Sequence, residues 1–167
     1  MTPNISAFLS TVSHGEGTDL APDPYRCCYA KRHTIISFAY HPHELRPDGT
    51  REWGGETLTD KQCADVGLSP GCISSAAGRY QITLPTYLRL SKLLGTKGFT
   101  PPIQDDMAIQ LIKERGALDL VMGGRVSEAL EKCSAEWASL PGSTSGQPQA
   151  EIADLIHTYM DQGGSLA

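Results

Sequence analysis

Apolar positions fall at helical spacing near the start of the chain and again from residue 83 onward, and lose that spacing in between. Ile5, Phe8, Leu9 and Val12 share one face of a short amphipathic helix. Asn4 is placed to cap its start, and Gly15 and Gly17 are placed to stop it. Asp19 to His33 has no period and holds Pro22, Pro24 and the Cys27-Cys28 pair. Thr34 to Tyr40, rich in β-branched and aromatic residues, reads as a strand. His41 to Ser75 reads as loop, with turns at Pro47-Asp48-Gly49 and Gly54-Gly55 and a second short strand or turn around Arg51 to Trp53.

The second half predicts helices. Thr83 caps one that runs to about Leu94, with Pro85 in its first turn and Gly95 after its end. Thr100-Pro101-Pro102 opens another, closed by Gly116, with Ile103, Met107, Leu111 and Ile112 inward. A short helix over 117–122 ends at Gly123-Gly124, and Val126, Leu130, Cys133 and Trp137 mark the next. Residues 143–148 form a loop before a last helix over 150–162, with Ile152, Leu155, Ile156 and Tyr159 inward. The expected fold is α+β in one domain spanning 1–167. It is predominantly helical, with a small β or loop-rich lobe and a cleft between lobes.

Composition narrows the function classes. At 167 residues the chain can bury roughly 70% of its unfolded surface. A formal charge of -5 with no basic cluster argues against general nucleic-acid or anionic-membrane binding. No apolar run approaches a membrane span, and the first residues lack the basic and apolar regions of a secretory signal. The chain is therefore expected to stay in the cytoplasm until something releases it. Five cysteines, an odd number, are weak support for a disulfide framework, although Cys63 and Cys72 could pair in an oxidising compartment. Cys133 reads as a small core residue.

The chemistry-bearing candidates start with Glu16. It lies at or just past the end of the first helix, where unpaired carbonyls disfavour a negative charge. Partial burial there would raise its pKa and suit it to general acid work at neutral pH. A solvated glutamate in a glycine-punctuated turn fits the segment Ser13 to Asp19 as well. Ser75, Arg79, Tyr80 and Gln81 flank Gly78 and offer a hydroxyl, a donor fork, a stacking face and an amide, a mixture suited to hydroxyl-rich ligands such as sugars. A turn whose tyrosine packs in the core fits equally. His41-Pro42-His43-Glu44 lacks the spacing of a helical metal site, and Cys27-Cys28 lacks the gap of a zinc knuckle, so no metal and no cofactor are expected. No Gly-x-Ser-x-Gly elbow supports a serine nucleophile among Ser13, Ser75 and Ser139. A glycosidase pair would need a second carboxylate, which Asp19, Asp23, Glu44, Glu52, Glu56 or Asp60 could supply.

Four blocks in order resemble the lambda-type phage endolysins. They are Glu16-Gly17-Thr18-Asp19, Ala77-Gly78-Arg79-Tyr80-Gln81, Lys113-Glu114-Arg115-Gly116-Ala117-Leu118, and Cys133-Ser134 with Trp137-Ala138-Ser139-Leu140-Pro141-Gly142. The resemblance runs from the first helix to the last and so covers nearly the whole chain. The resemblance implies a lysozyme-like fold and a lytic transglycosylase that cuts the β-1,4 bond between N-acetylmuramic acid and N-acetylglucosamine, leaving a 1,6-anhydro end. It implies Glu16 as the catalytic group, with Ser75, Arg79, Tyr80, Gln81 and Gln147 toward the glycan. The nucleophile would be the substrate's own C6 hydroxyl, so a second carboxylate becomes unnecessary. Hydrolysis on the same fold, with Asp19 activating water, and a non-catalytic glycan-binding or virion protein are the competing classes. The implied partners are peptidoglycan glycan strands, reached by a monomer after a holin opens the membrane. Two departures stand out. Residues 41–75 form a longer stretch than the family carries, and Ser145 stands where an aromatic residue precedes the family's Gly-Gln pair.

Overall fold

The computed structural model describes residues 1–143 and 149–167. The described chain forms two compact units, one made of residues 1–20 with 108–167 and the other of residues 21–107. The first is helical. Its opening helix α1 spans Pro3–Gly15. Thr2, not Asn4, caps it, the Thr2 hydroxyl accepting from the Ile5 N–H at 3.3 Å while Pro3 takes the first position. Asn4 does different work: its amide donates to the Met122 carbonyl at 3.1 Å and accepts from the Ser165 N–H at 2.9 Å. One side chain thus fastens both the backbone at Met122 and the C-terminal tail to α1.

Helices α5 (Leu118–Met122), α6 (Val126–Cys133) and α7 (Ile152–Asp161) complete this unit, with α1 packed against α5 and α7. The packing stripe of α7 is narrower than its apolar pattern. Leu155 and Tyr159 are buried, but Ile152, the first residue of the helix, is 43% exposed. Trp137 is buried just beyond α6, which stops at Cys133. Phe8, Leu9, Val12, Leu130, Leu140 and Tyr159 form the centre of this core. The expected loop at 143–148 falls largely outside the described residues.

The second unit holds the short antiparallel pair β1 (Glu56–Thr57) and β2 (Ile73–Ser74), with Glu56 opposite Ser74. Between them stands α2, Asp60–Asp65, inside the stretch read from sequence as loop. Its signal was present: Thr59 and Gln62 make a reciprocal capping box. The Cys63–Cys72 disulfide closes this excursion. The strand expected over 34–40 does not form; Thr34 makes an isolated bridge to Cys27. The reason is that side chains take the backbone groups a neighbouring strand would need. Glu52 accepts from the N–H groups of Ile36 and Ser37, and Arg26 donates to the carbonyls of Ile35 and Ile36. Ile36 is left 77% exposed. Of the short strand or turn expected around Arg51 to Trp53, the strand forms a few residues later, at Glu56–Thr57.

Helix α3 (Leu84–Leu94) runs as its pattern predicts, from Thr83 to a left-handed Gly95. Helix α4 spans Pro101–Glu114, its residues to Met107 belonging to the second unit and those from Ala108 to the first. His41 sits fully buried against Tyr87 and Phe99, with ring centroids 5.3 and 4.8 Å away. Among the described residues no helix is long and apolar enough to cross a membrane.

Candidate functional site

Glu16 occupies the cap position of α1, its N–H bonded to the Val12 carbonyl at 2.9 Å. The chain then turns through Gly17, whose positive φ of 67° is available to glycine at no steric cost. This turn is strapped. The Ser13 and Thr18 hydroxyls lie 2.8 Å apart, the Thr18 hydroxyl donates to the Ser13 carbonyl, and His14 Nδ1 meets Asp19 Oδ2 at 2.6 Å. With its backbone fixed at both sides, Glu16 has little freedom beyond its own side-chain torsions.

Its carboxyl is partly buried, and Oε1 accepts a hydrogen bond from the Ser139 hydroxyl at 2.6 Å. Burial raises its pKa to about 7, against which the Ser139 hydrogen bond pulls downward. Desolvation is therefore the dominant cause, where the sequence had pointed first to the carbonyl-rich helix end. At neutral pH the group is divided between acid and carboxylate, the condition for giving and taking a proton in one cycle. Asp19, the nearest candidate for a second carboxylate, is committed to His14.

In the other unit, the block from Ser75 to Gln81 forms a tight connection before α3. Gly78 has a φ of 75°, and an added Cβ there would overlap the Gln104 side chain and the Phe99 ring. Gln81 adopts a positive φ of 49°, which is costly for a residue with a Cβ. Its amide holds the strain in place by donating to the carbonyls of Gly78 and Cys27. Ser75 accepts from the Leu84 N–H at 2.9 Å and so supports the first turn of α3. The Tyr80 ring is 1% exposed and its hydroxyl donates to Asp105 at 2.5 Å. Arg79 reaches the Tyr25 hydroxyl at 2.9 Å and lies over both tyrosine rings. Tyr25 in turn donates to Asp105. Burial and the adjoining carboxylate push the Tyr80 hydroxyl far above the usual phenol range. It stays a donor at every working pH.

Arg79 and Tyr80 are thus brought together with Tyr25, Gln104 and Asp105, while Gln81 is tied to the Cys27 and Gly78 carbonyls and Ser75 faces the start of α3. Sequence reasoning missed Tyr25, Gln104 and Asp105. Tyr25 and Asp105 are eighty residues apart, and no spacing rule links them. Gln104 is fully buried and bonds Tyr25, Phe99 and the Arg79 N–H, which a polar residue on an apolar helix face could have suggested. Gln147 lies outside the described residues. Among the described residues no group of three or more His, Cys, Asp or Glu is arranged to hold a metal ion.

Glu52 is the other shielded carboxylate, with a side chain 5% exposed. Burial would raise its pKa, but donors from Ile36, His33 and Ser37 outweigh it and hold the group below the usual range. Arg46 adds an ion pair at 3.0 Å. A carboxylate so satisfied is a structural anchor with no proton to give.

The comparisons with known proteins agree with one another. The endolysin family model matches residues 6–166. The endolysin of Escherichia phage lambda is 40% identical over 116 residues, covering 68% of this chain and 73% of its own. The endolysin of Escherichia phage P2 is 33% identical over 161 residues, covering 96% and 93%. Among solved structures, phage lambda lysozyme complexed with a chitohexasaccharide superposes with a TM-score of 0.80 at 30% identity, covering 100% of this chain and 98% of that one. A second structure of lysozyme from phage lambda gives a TM-score of 0.76 with the same coverage. With its mainly helical architecture and small two-stranded sheet, the chain has the lysozyme-like fold and belongs to the endolysin family of phage cell-wall-degrading enzymes.

Proposed function

We propose that the chain is a peptidoglycan lytic transglycosylase and that Glu16 is its catalytic residue. The observation that carries this reading is the shielded Glu16 carboxyl, with a pKa raised to about 7. In the first step Glu16 gives its proton to the oxygen linking N-acetylmuramic acid to N-acetylglucosamine, and the bond from that oxygen to the muramic anomeric carbon breaks. In the second, the C6 hydroxyl of the same muramic acid bonds to that carbon and gives its proton to the Glu16 carboxylate. The glycan ends in a 1,6-anhydro ring, Glu16 is restored, and no water is consumed. One carboxyl serves both steps because the nucleophile belongs to the substrate. The chitohexasaccharide in the related lambda lysozyme structure supports glycan strands as the ligand class.

Residues 75–81 serve the glycan mainly by fixing a rigid loop. Arg79 and Gln81 are the members assigned to direct contact, Ser75 and Tyr80 those that hold the backbone, and Gln147 is a further donor. The two units act together as one catalytic domain, consistent with a single family model spanning both. The protein works as a monomer without metal or cofactor, so a chelator leaves its rate unchanged. It is made in the cytoplasm and meets peptidoglycan once a holin has opened the membrane.

Mass spectrometry of digested peptidoglycan tests the reaction type. Anhydro-muramic ends are expected. Reducing muramic ends, heavier by one water, would establish a hydrolase, in which a second carboxylate such as Asp19 would activate water. Binding without cleavage would establish a glycan-binding protein.

A further inference from the structure

Ser139 lies 123 residues from Glu16 in sequence, and its hydroxyl donates to Glu16 Oε1 at 2.6 Å. The contact is confined on every side. A Cβ on Gly15 would come within 3.4 Å of the Ser139 hydroxyl and 3.1 Å of the Leu140 side chain, so the end of α1 sits directly against this turn. Leu140 is fully buried and Trp137 is 4% exposed, fixing the turn from both sides. The Leu140 N–H bonds the Trp137 carbonyl at 3.0 Å, and the Ser139 carbonyl accepts from the Ala150 N–H at 2.8 Å. The Ser139 backbone is thereby tied to the approach to α7 while its side chain addresses the carboxyl.

We infer that Ser139 is a positioning residue for the transglycosylation reaction, holding Glu16 Oε1 so that Oε2 is the oxygen that exchanges the proton with substrate. This rests on the reading of Glu16 as the acid. A carboxyl has two oxygens and two-fold torsional freedom. If either oxygen can carry the proton, half of the protonated population is turned the wrong way. The carbonyl oxygen of a neutral carboxyl is a stronger acceptor than its hydroxyl oxygen, so a hydroxyl donor at Oε1 favours the proton on Oε2. After the first step the same bond stabilises the new carboxylate while it waits for the C6 hydroxyl proton, since a bond to a charged acceptor is stronger than one to a neutral acceptor. Without Ser139, Glu16 would be a stronger holder of its proton and a less ordered one.

The test compares Ser139→Thr with Ser139→Val, side chains of nearly equal shape that differ in the hydroxyl. Initial rates of anhydro-product release are measured on peptidoglycan across the pH range, with kcat and KM separated. Relative to the threonine variant, the valine variant should lose about tenfold in kcat with KM little changed. Its alkaline limb should move upward by about one pH unit, because the donor that favoured the carboxylate is gone. A purely structural Ser139 would lower the melting temperature of both variants and leave the limb where it was. Equal kcat and coincident limbs for the two variants overturn the inference. Glu16→Gln is run alongside. If it is inactive while the pair coincide, Ser139 alone loses its role; if it keeps full activity, the reading of Glu16 itself is lost.

Discussion

Glu16 in the helical unit and Glu52 in the loop-rich unit are both partly buried glutamates, and their surroundings treat them differently. Glu16 takes a hydrogen bond from the Ser139 hydroxyl, and burial dominates, raising its pKa to about 7. Glu52 takes bonds from two backbone N–H groups, His33 and Arg46, and stays ionised. Shielding alone therefore does not mark a catalytic acid. What separates the two is how far the hydrogen-bond donors compensate the lost solvent, and that is decided by residues distant in sequence. The comparison also assigns the groups different costs of removal: chemistry for Glu16, and folding for Glu52.

Glu16→Gln should give the largest effect. The amide keeps the shape and cannot donate an acidic proton, so peptidoglycan cleavage should fall about 10³-fold while the variant unfolds at no lower temperature than wild type. Turbidity loss of cell-wall suspensions and a melting curve on the same sample read both quantities. Asp19→Asn should cost only a few-fold, through a looser turn at His14. A loss as deep as that of Glu16→Gln would mean that Asp19 takes part in the chemistry.

Glu52→Ala should invert this pattern. It leaves the Ile36 and Ser37 N–H groups and Arg46 without their acceptor, at a cost of about 3 to 4 kcal/mol in urea unfolding. The folded fraction should retain its specific activity. A variant that unfolds at wild-type urea concentration would show that water replaces the carboxylate freely and that the loop-rich unit does not depend on it.

The two regions also differ in what sequence could reveal. In the helical unit, apolar spacing located α1 and α5 to α7 because each helix buries one stripe against its neighbours, and the same signal located α3 and α4. Even there the cap was misassigned, since Thr2 and Asn4 carry equally suitable side chains and the Ser165 contact that engages Asn4 is 161 residues away. In the loop-rich unit the backbone is satisfied by side chains, so the residues of 34–40 look like a strand and are not one. A β-branched run reports only that a segment suits a pleated, half-buried surface; it cannot report that Glu52 and Arg26 have taken its hydrogen bonds. The candidate site divides along the same line. Glu16 stands at a legible place, a helix end beside a glycine turn, but those local features fit a solvated glutamate as well, and it was the resemblance that singled it out. Ser139, Asp105 and Gln104 were not legible, because their meaning comes from partners far along the chain.

Breaking the Cys63–Cys72 bond sharpens the contrast at a smaller scale. Closing so short a loop restricts the unfolded chain, and losing it should cost about 2 to 3 kcal/mol. Hydrogen exchange after mild reduction, or in the Cys63→Ser, Cys72→Ser double variant, should accelerate around α2, β1 and β2. Amides of α1 and α7 should keep their protection. Buried Cys28 and Cys133, whose thiols are pushed up to about 12, should resist alkylation under the same conditions.

The smallest expected effect is a pair of opposing pH slopes. Glu16 binds its proton more tightly folded than unfolded, so its contribution to stability is complete below pH 4.5 and is lost as pH rises toward 7. Glu52 works in the other direction, its contribution present above the ordinary carboxylate range and lost as pH falls through its depressed folded value. His41 adds to that acid-side loss. Its Nε2 faces the Ile82 carbonyl in a buried site, and burial lowers its pKa to about 4, so stability declines as pH falls from 6.5 toward 4. The chain should therefore be most stable in mildly acidic to neutral solution. Glu16→Gln should remove the alkaline-side slope and gain roughly 2 kcal/mol over wild type at pH 8, while leaving the acid-side slope intact. Urea midpoints at pH 5 and pH 8 for both proteins read this difference. Parallel slopes would mean that Glu16 is as solvated folded as unfolded, and its fitness as an acid at neutral pH would go with them.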